Sequence, residues 1–210
     1  MDFITTLQST GIIAILRGIK PTEAEAIGSV LYEQGIRIIE VPLNSPDPLK
    51  SIASLRRILP SDCWVGAGTV MTEKQLQDVI QSGGQLIISP HTDPALIKET
   101  KRSGLFSLPG AATPSEAFSA LASGADAIKL FPAEAIAPRI VKAWRAVIPM
   151  DIPLLPVGGV TPEAIEGYRG AGASGFGLGG ALYQPGMDVK LVSQQAAAFV
   201  NAWKMSSPQQ

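Results

Sequence analysis

The sequence predicts an α/β fold, a single-domain (β/α)8 TIM barrel with a short N-terminal capping helix. Short apolar runs recur along the chain, helix-start signals follow most of them, and the resulting units are nearly evenly spaced. Eight such units fit within 210 residues, which is near the lower limit for this architecture. A doubly wound open sheet is the alternative arrangement, but eight evenly spaced units favour closure.

The apolar runs predict the strands. Each run is short and mostly apolar at every position, which is typical of parallel strands that are covered on both faces. In chain order the runs are Ile12–Leu16, Ile36–Leu43, Trp64–Ala67, Gln85–Ile88, Leu105–Leu108, Ala127–Phe131, Pro153–Val157 and Gly175–Leu178. No break in composition separates them, so residues 1–210 are predicted to form one domain.

Capping residues and prolines predict where the helices begin. In Thr113–Glu116 a threonine N-cap precedes a proline at the first helical position, and a glutamate completes a capping box. Related signals stand at Pro21, Pro46, Thr72–Gln75, Asp93–Pro94 and Thr161–Glu163. Residues 1–10 are predicted to form the capping helix before the first strand, and residues 205–210 are predicted to form a frayed tail.

The composition excludes several classes of function. The chain has 17 Lys and Arg against 18 Asp and Glu, so it lacks the basic excess of a general nucleic-acid binder. The single cysteine, Cys63, cannot form an internal disulfide, and the single histidine, His91, cannot supply a zinc site that needs two. Neither a signal peptide nor a membrane helix is recognised, so a cytoplasmic protein without a membrane partner is expected.

The C-terminal ends of the predicted strands indicate where chemistry occurs, since barrel enzymes place their active sites there. Lys129 stands late in the sixth run, where an amine that stays charged and unpaired is costly. Burial would lower the pKa of this lysine and supply the neutral amine that attacks a carbonyl. The sequence therefore predicts a Schiff-base lysine, with a structural ion pair as the alternative.

Two further charged residues lie at strand ends. Glu40 alternates with Ile39 and Val41 along the second run, so its side chain points to the opposite side from theirs. A carboxylate beside an amine can serve both as its counter-ion and as a proton shuttle. Arg17 ends the first run, and its guanidinium suits a carboxylate or a phosphate, with a salt bridge at the barrel rim as the alternative.

Glycine pairs follow the last two predicted strands. Gly158–Gly159 comes after the seventh run and Gly179–Gly180 after the eighth, in the two loops that commonly bind phosphate in barrel enzymes. Gly170–Gly175 and Gly175–Gly180 also match the G-x-G-x-x-G pattern. Neither is followed by the βαβ unit and acidic residue that a dinucleotide site needs, so we interpret them as barrel turns or a phosphate cradle.

Several motifs, taken together, resemble the 2-keto-3-deoxy-6-phosphogluconate/galactonate aldolase family, and the resemblance runs nearly end to end. Each motif alone is weak, but their order and spacing are highly specific. They are Ala14–Gly18, Ile39–Pro46, Gly66–Val70, Ser89–Pro90, Lys129–Pro132, Val157–Pro162 and Gly177–Gly179. The segment Glu40–Asn44 reads Glu-Val-Pro-Leu-Asn, similar to the galactonate branch, whereas gluconate-type members often carry Glu-Val-Thr-Leu-Arg.

The resemblance implies a class I aldolase that uses no cofactor and no metal, since an iminium supplies the polarisation that a Lewis acid would give. Lys129 would form the Schiff base, and Glu40 would move protons. Relatives often have a serine at the position of Gly180, so the loss of its hydroxyl leaves the phosphate to backbone donors. The implied substrate-binding residues are Arg17, Thr69, Phe131, Pro90, Gly158, Gly159, Gly179 and Gly180.

The resemblance further implies a homotrimer that cleaves 2-dehydro-3-deoxy-6-phosphogalactonate, a phosphosugar acid, to pyruvate and glyceraldehyde 3-phosphate in galactonate degradation. Three alternatives stay open on the sequence. The first is the same chemistry chiefly on the gluconate epimer. The second is a barrel phosphosugar isomerase or epimerase, which needs no imine. The third is a non-catalytic barrel that binds a sugar phosphate.

Overall fold

The computed structural model describes residues 2–206, with strands and helices alternating along the chain. The strands are β1 Ile12–Ile15, β2 Ile38–Pro42, β3 Trp64–Gly68, β4 Leu86–Ile88, β5 Phe106–Leu108, β6 Gly110–Ala111, β7 Ile128–Leu130, β8 Leu154–Pro156 and β9 Phe176–Leu178. The helices are α1 Phe3–Thr10, α2 Pro21–Glu33, α3 Pro48–Ile58, α4 Glu73–Gln81, α5 Pro94–Arg102, α6 Pro114–Ala122, α7 Pro138–Arg145, α8 Ile165–Gly170 and α9 Val189–Met205. Short 3-10 turns cover Ala133–Ala135 and Pro162–Ala164.

The strands form two parallel sheets that curl around a common interior. The larger sheet has the order β5-β4-β3-β2-β1-β9, and the smaller has the order β6-β7-β8. A parallel bridge between Val157 and Gly177 connects the end of β8 to β9. The predicted α/β class with parallel strands is therefore confirmed, but the described strands do not join into the single eight-stranded sheet that the sequence analysis expects.

The fifth predicted strand, Leu105–Leu108, is followed by Pro109 and then by the short additional strand β6. β5 pairs with β4 on one side of this proline, and β6 pairs with β7 on the other. Proline has no N–H with which to continue a ladder, although its carbonyl accepts a hydrogen bond of 2.9 Å from the Lys129 N–H. The chain therefore changes sheet at this residue while its pairing continues towards β7.

Most helix starts match the sequence signals. α2 begins at Pro21, α5 at Pro94 and α6 at Pro114, where Thr113 and Glu116 form the expected capping box. The predicted boundaries at Pro46 and at residue 205 were wrong.

The signal at Pro46 is misplaced, because α3 begins at Pro48 with Asp47 as its N-cap. The chain first makes a turn in which the Ser45 N–H donates to the Pro42 carbonyl at 3.0 Å. The Ser45 hydroxyl in turn accepts a hydrogen bond of 2.9 Å from the Gly18 N–H. These contacts hold the segment before α3 against the loop that follows β1.

The predicted tail at residues 205–210 begins too early. Met205 is the last residue of α9, and Ser206 caps it. The Ser206 hydroxyl is buried and accepts a hydrogen bond of 3.0 Å from Arg169 Nη1. The remainder of the predicted tail, residues 207–210, lies outside the described residues. No helix in the described range is long and apolar enough to cross a membrane.

The helix α1 covers the N-terminal end of the strands. Phe3 and Leu7 are fully buried there in a cluster with Ile13 and Ile38. The Phe3 ring stacks on Phe106 with ring centroids 4.4 Å apart. The amphipathic start of the chain therefore completes the interior at the end of the strands opposite to the predicted active site.

Phe3→Ala is expected to lower the free energy of unfolding by about 3–5 kcal/mol, because it removes a fully buried ring and leaves a cavity. Urea denaturation monitored by circular dichroism measures this loss. Phe118→Ala is the matched control, since that ring on α6 is 47% exposed and its removal is expected to change stability by less than about 1 kcal/mol. Similar losses in both variants would contradict the role given to α1.

Candidate active site

Lys129 and Glu40 lie together in the interior. Lys129 is on β7 and 6% exposed, and Glu40 is on β2 and 2% exposed. Among the described residues, Glu40 Oε2 has no hydrogen-bond partner. Both side chains line a small internal cavity, the inner cavity, whose remaining lining residues are Ile13, Ile15, Ile88, Leu108, Leu155, Val157 and Gly177. An amine and a carboxylate thus face one apolar space.

Burial favours the uncharged form of both groups. It raises the pKa of Glu40 to about 7, although the positive charges of Lys129 and Arg17 oppose this shift. Burial also lowers the pKa of Lys129 against the opposing charge of Glu40, and the nearby Arg17 adds to the lowering. A neutral amine and a carboxyl group that titrates near neutral pH are the forms that imine chemistry requires.

The raised pKa of Glu40 has a consequence for stability. In the unfolded chain this carboxyl group ionises around its ordinary pKa of 4.5, whereas in the folded protein it holds its proton to about pH 7. The folded state therefore binds the extra proton between these values, and the free energy of unfolding is expected to fall as pH rises through this window.

The titration of Glu40 is expected to lower the free energy of unfolding by on the order of 3 kcal/mol between pH 4.5 and pH 7. Glu40→Gln cannot titrate, so its free energy of unfolding should fall less across the same range. Chemical denaturation of both proteins at a series of pH values measures the difference. Parallel pH profiles would contradict the assignment of the shift to Glu40.

The Glu40 carboxylate rests against Gly68 of β3. A Cβ atom placed on Gly68 would lie 1.3 Å from Glu40 Oε2 and 2.4 Å from its Cδ. The absence of a side chain at Gly68 therefore creates the space that the carboxylate occupies. Thr69 follows with a φ of 58°, a left-handed conformation that is uncommon for a residue other than glycine.

A second, more open cavity adjoins the inner one. It shares Ile15, Val157 and Gly177 with the inner cavity, so the two cavities are direct neighbours. Its other lining residues are Arg17, Phe131, Gly158, Gly159, Val160, Leu178, Gly179, Gly180 and Ala181. This outer cavity therefore brings six of the eight predicted substrate-binding residues together at the C-terminal ends of β1, β7, β8 and β9.

Arg17 and Phe131 line the outer cavity near Lys129 and Glu40. Arg17 Nη1 donates a hydrogen bond of 2.6 Å to Asn44 Oδ1, which holds the guanidinium at the rim of the outer cavity. Lys129 Nζ lies 4.7 Å from the centroid of the Phe131 ring. Asn44 was not predicted as a site residue, because a short amide after a strand carries no signal of its own until its partner is known.

The two glycine pairs have different surroundings. Gly158 and Gly159 adopt φ angles of 116° and 59°, which favour glycine, and Cβ atoms there would lie 2.4 Å and 3.0 Å from the Glu134 side chain. Gly179 and Gly180 face open space, with no atom within 4 Å of an added Cβ. Glu134 is a second neighbour of the site that the sequence analysis missed, since only the folded chain brings it onto this turn.

Two predicted residues lie outside both cavities. Thr69 is half-buried beside Gly68, and Pro90 follows β4 with its carbonyl against Gly110, where an added Cβ would lie 2.4 Å from the Pro90 oxygen. Both stand after strands, at the same end of the sheets as Glu40 and Lys129. Within residues 2–206, no group of three or more His, Cys, Asp or Glu residues could hold a metal ion.

Comparisons with known proteins match this chain to one aldolase family. The family model described as "Aldolase: KDPG and KHG aldolase" matches residues 3–196. A protein of Rhizobium meliloti (strain 1021) named "Probable 2-dehydro-3-deoxy-6-phosphogalactonate aldolase" is 44% identical over 192 residues, which cover 91% of each chain.

Solved structures are also similar. "Native KDPGal structure" has a TM-score of 0.90 and 42% identity, covering 92% of this chain and 94% of the other. A KDPG aldolase from Legionella pneumophila, solved "with pyruvate captured at low pH as a covalent carbinolamine intermediate", has a TM-score of 0.84 and 26% identity, covering 95% and 98%. The extent of the family match and the identity to the Rhizobium relative together show that this chain belongs to the KDPG and KHG aldolase family.

Proposed function

We propose that this protein is a class I aldolase that cleaves 2-dehydro-3-deoxy-6-phosphogalactonate to pyruvate and glyceraldehyde 3-phosphate. One observation carries the proposal: the buried amine of Lys129 and the buried carboxylate of Glu40 line the same apolar cavity. The relatives at 44% and 42% identity, whose names refer to this galactonate compound or its aldolase, support the choice of substrate.

The reaction begins when neutral Lys129 Nζ attacks the C2 ketone. The resulting carbinolamine loses water as Glu40 donates a proton, which leaves an iminium. The Glu40 carboxylate then accepts the C4 hydroxyl proton, the C3–C4 bond breaks, and its electron pair moves into the iminium to give an enamine. Glyceraldehyde 3-phosphate departs, the enamine is protonated at its methylene carbon, and water releases pyruvate and restores the amine.

The environment of the pair favours these steps. Burial lowers the pKa of Lys129, so a larger fraction of the amine is neutral than in water. Burial raises the pKa of Glu40 to about 7, so its carboxyl group can both donate and accept a proton near neutral pH. The Legionella aldolase was captured with pyruvate as a covalent carbinolamine, and the proposed mechanism forms the same type of intermediate on Lys129.

The remaining predicted residues hold the substrate in this proposal. Arg17 binds the keto-acid carboxylate and Phe131 borders the carbon chain, since both line the outer cavity. Thr69 and Pro90 lie outside both cavities at the same end of the strands, and in this proposal they complete the carboxylate and carbon-chain sites when substrate binds. The phosphate lies against backbone N–H groups of the two glycine turns, which line the outer cavity. At Gly179 and Gly180 an added Cβ would meet no atom within 4 Å, so an anion can approach the backbone closely there, whereas the Glu134 side chain lies against Gly158 and Gly159.

The proposal also covers the complete fold of the enzyme, its oligomeric state, its pathway and its cellular compartment. The bridge from Val157 to Gly177 and the continuous pairing past Pro109 support a complete (β/α)8 barrel formed by residues 1–210 as one domain. We extend the proposal to a homotrimer that acts in galactonate degradation in the cytoplasm. The galactonate compound in the name of the Rhizobium relative supports the pathway. Light scattering of the purified protein measures the oligomeric state directly.

Cleavage rates on the two epimers test the substrate assignment. Pyruvate release from 2-dehydro-3-deoxy-6-phosphogalactonate should have a higher kcat/KM than release from the gluconate epimer. A preference for the gluconate compound would replace the assigned substrate but retain the chemistry. Binding of a sugar phosphate without pyruvate release from either epimer, together with no borohydride-trapped pyruvate, would instead favour an isomerase, an epimerase or a non-catalytic barrel.

A further inference from the structure

A second pocket lies at the end of the strands opposite to Lys129. It is bordered by α1, α7, α9 and the segment that leads from α8 into β9. That segment contains Gly170–Gly175, the glycine pattern to which the aldolase mechanism gives no role. Because the segment precedes β9, whereas Gly179–Gly180 follows it, the pocket is separate from the candidate active site.

Three cations and no carboxylate line this pocket: Lys142, Arg145 and Arg169. Arg145 stabilises the fold here, because its guanidinium donates hydrogen bonds of 2.9 Å to the carbonyls of Gly172 and Ile152. Its side chain thereby fixes the wall of the pocket. Asp151, outside the lining, interacts electrostatically with this guanidinium.

Arg169 and Lys142 retain unused donors. Arg169 Nη1 donates to the Trp203 carbonyl at 2.7 Å and to the Ser206 hydroxyl at 3.0 Å. Within residues 2–206, however, its Nε and Nη2 atoms have no hydrogen-bond acceptor, and the Lys142 ammonium has neither an acceptor nor an ion-pair partner. A half-buried guanidinium with a free edge, close to a free ammonium, is suited to bind an anionic group.

The rest of the lining is largely apolar. Ala146, Met150 and Trp203 contribute to it, and the Arg169 guanidinium lies 3.7 Å over the Trp203 ring. An added Cβ at Gly170 would meet no atom within 4 Å, so the pocket is open at that point. A ligand that fits must therefore combine an anionic group with an apolar body.

We propose that this pocket binds a small organic anion, whose phosphate or carboxylate contacts Lys142 and Arg169 and whose apolar or aromatic body lies against Met150 and Trp203. The inference does not depend on the proposed aldolase reaction. Phenyl phosphate is a suitable probe, with inorganic phosphate testing the charge alone and benzyl alcohol testing the ring alone.

Nuclear magnetic resonance of the intact protein tests the proposal. The indole N–H signal of Trp203, assigned by its loss in Trp203→Phe, should shift saturably with phenyl phosphate and more weakly with either comparison compound. Lys142→Glu and Gly170→Glu should each weaken this binding at least about tenfold without reducing aldol cleavage. Lys98→Glu on α5 makes the same change of charge elsewhere and should bind like the original protein.

Two results would overturn the assignment. The first is a Trp203 signal that does not shift with phenyl phosphate, or a phenyl phosphate affinity that is the same in the original protein and all three glutamate variants. The second is binding of inorganic phosphate as tight as that of phenyl phosphate, which would remove the role of the apolar wall. Because the readout uses no catalysis, failure of the aldolase proposal would leave either conclusion intact.

Discussion

Lys129→Ala is expected to lower kcat for aldol cleavage by at least about a thousandfold, because it removes the amine that forms the imine in the proposed mechanism. Steady-state assays of pyruvate release measure this loss. Incubation with pyruvate and borohydride, followed by peptide mapping, gives a second readout. The original protein should gain one reduced pyruvate on Lys129, and the variant should gain none.

Lys142→Ala is the matched control for this experiment. It also removes one lysine ammonium, but from an exposed position at the other end of the strands. It should retain both turnover and trapping. A pyruvate adduct on any lysine other than Lys129, or cleavage by Lys129→Ala at the original rate, would refute the imine assignment.

Gly68→Ala is expected to lower kcat by about a hundredfold or more, although it adds a single methyl group. The new Cβ would lie 1.3 Å from Glu40 Oε2, so the carboxylate must leave its present position. Displacement of a proton-transfer group by about 1 Å typically costs about a hundredfold in rate. Assays of kcat and KM on the assigned substrate measure the effect, which should fall mainly on kcat.

A double-mutant cycle separates displacement of Glu40 from general damage to the fold. If Gly68→Ala acts through Glu40, it should add little to the loss already caused by Glu40→Gln. Gly170→Ala controls for the loss of a glycine, since its added Cβ meets no atom within 4 Å. Additive losses in the cycle would show that Gly68 does not act by positioning the carboxylate.

The proposed catalytic pair, Lys129 and Glu40, was predictable because two signals coincided in the sequence. A lysine and a glutamate inside otherwise apolar runs are costly to bury, so their positions alone indicate function. Parallel strands also bring such residues to a common end without further information. The structure places Lys129 and Glu40 in one cavity, as these arguments require.

Other features depended on the folded chain. At Pro109 the chain passes from the larger sheet to the smaller one, because proline has no N–H to continue the ladder. Where this change of sheet leads depends on which strand lies beside the proline, and only the folded chain shows that. The contact of Glu134 with the turn at Gly158 joins residues from two different loops. Periodicity and capping signals describe the local chain, so they do not report contacts of this kind.

The closure of one end of the interior by Phe3 and Leu7 has a kinetic consequence. In the proposed complex the three-carbon acid lies at the inner amine, while the phosphorylated aldehyde lies nearer the mouth. Products should therefore leave in a fixed sequence, with the aldehyde first and pyruvate last. Run in the synthetic direction, the enzyme should follow ordered kinetics in which the keto acid must load before its partner.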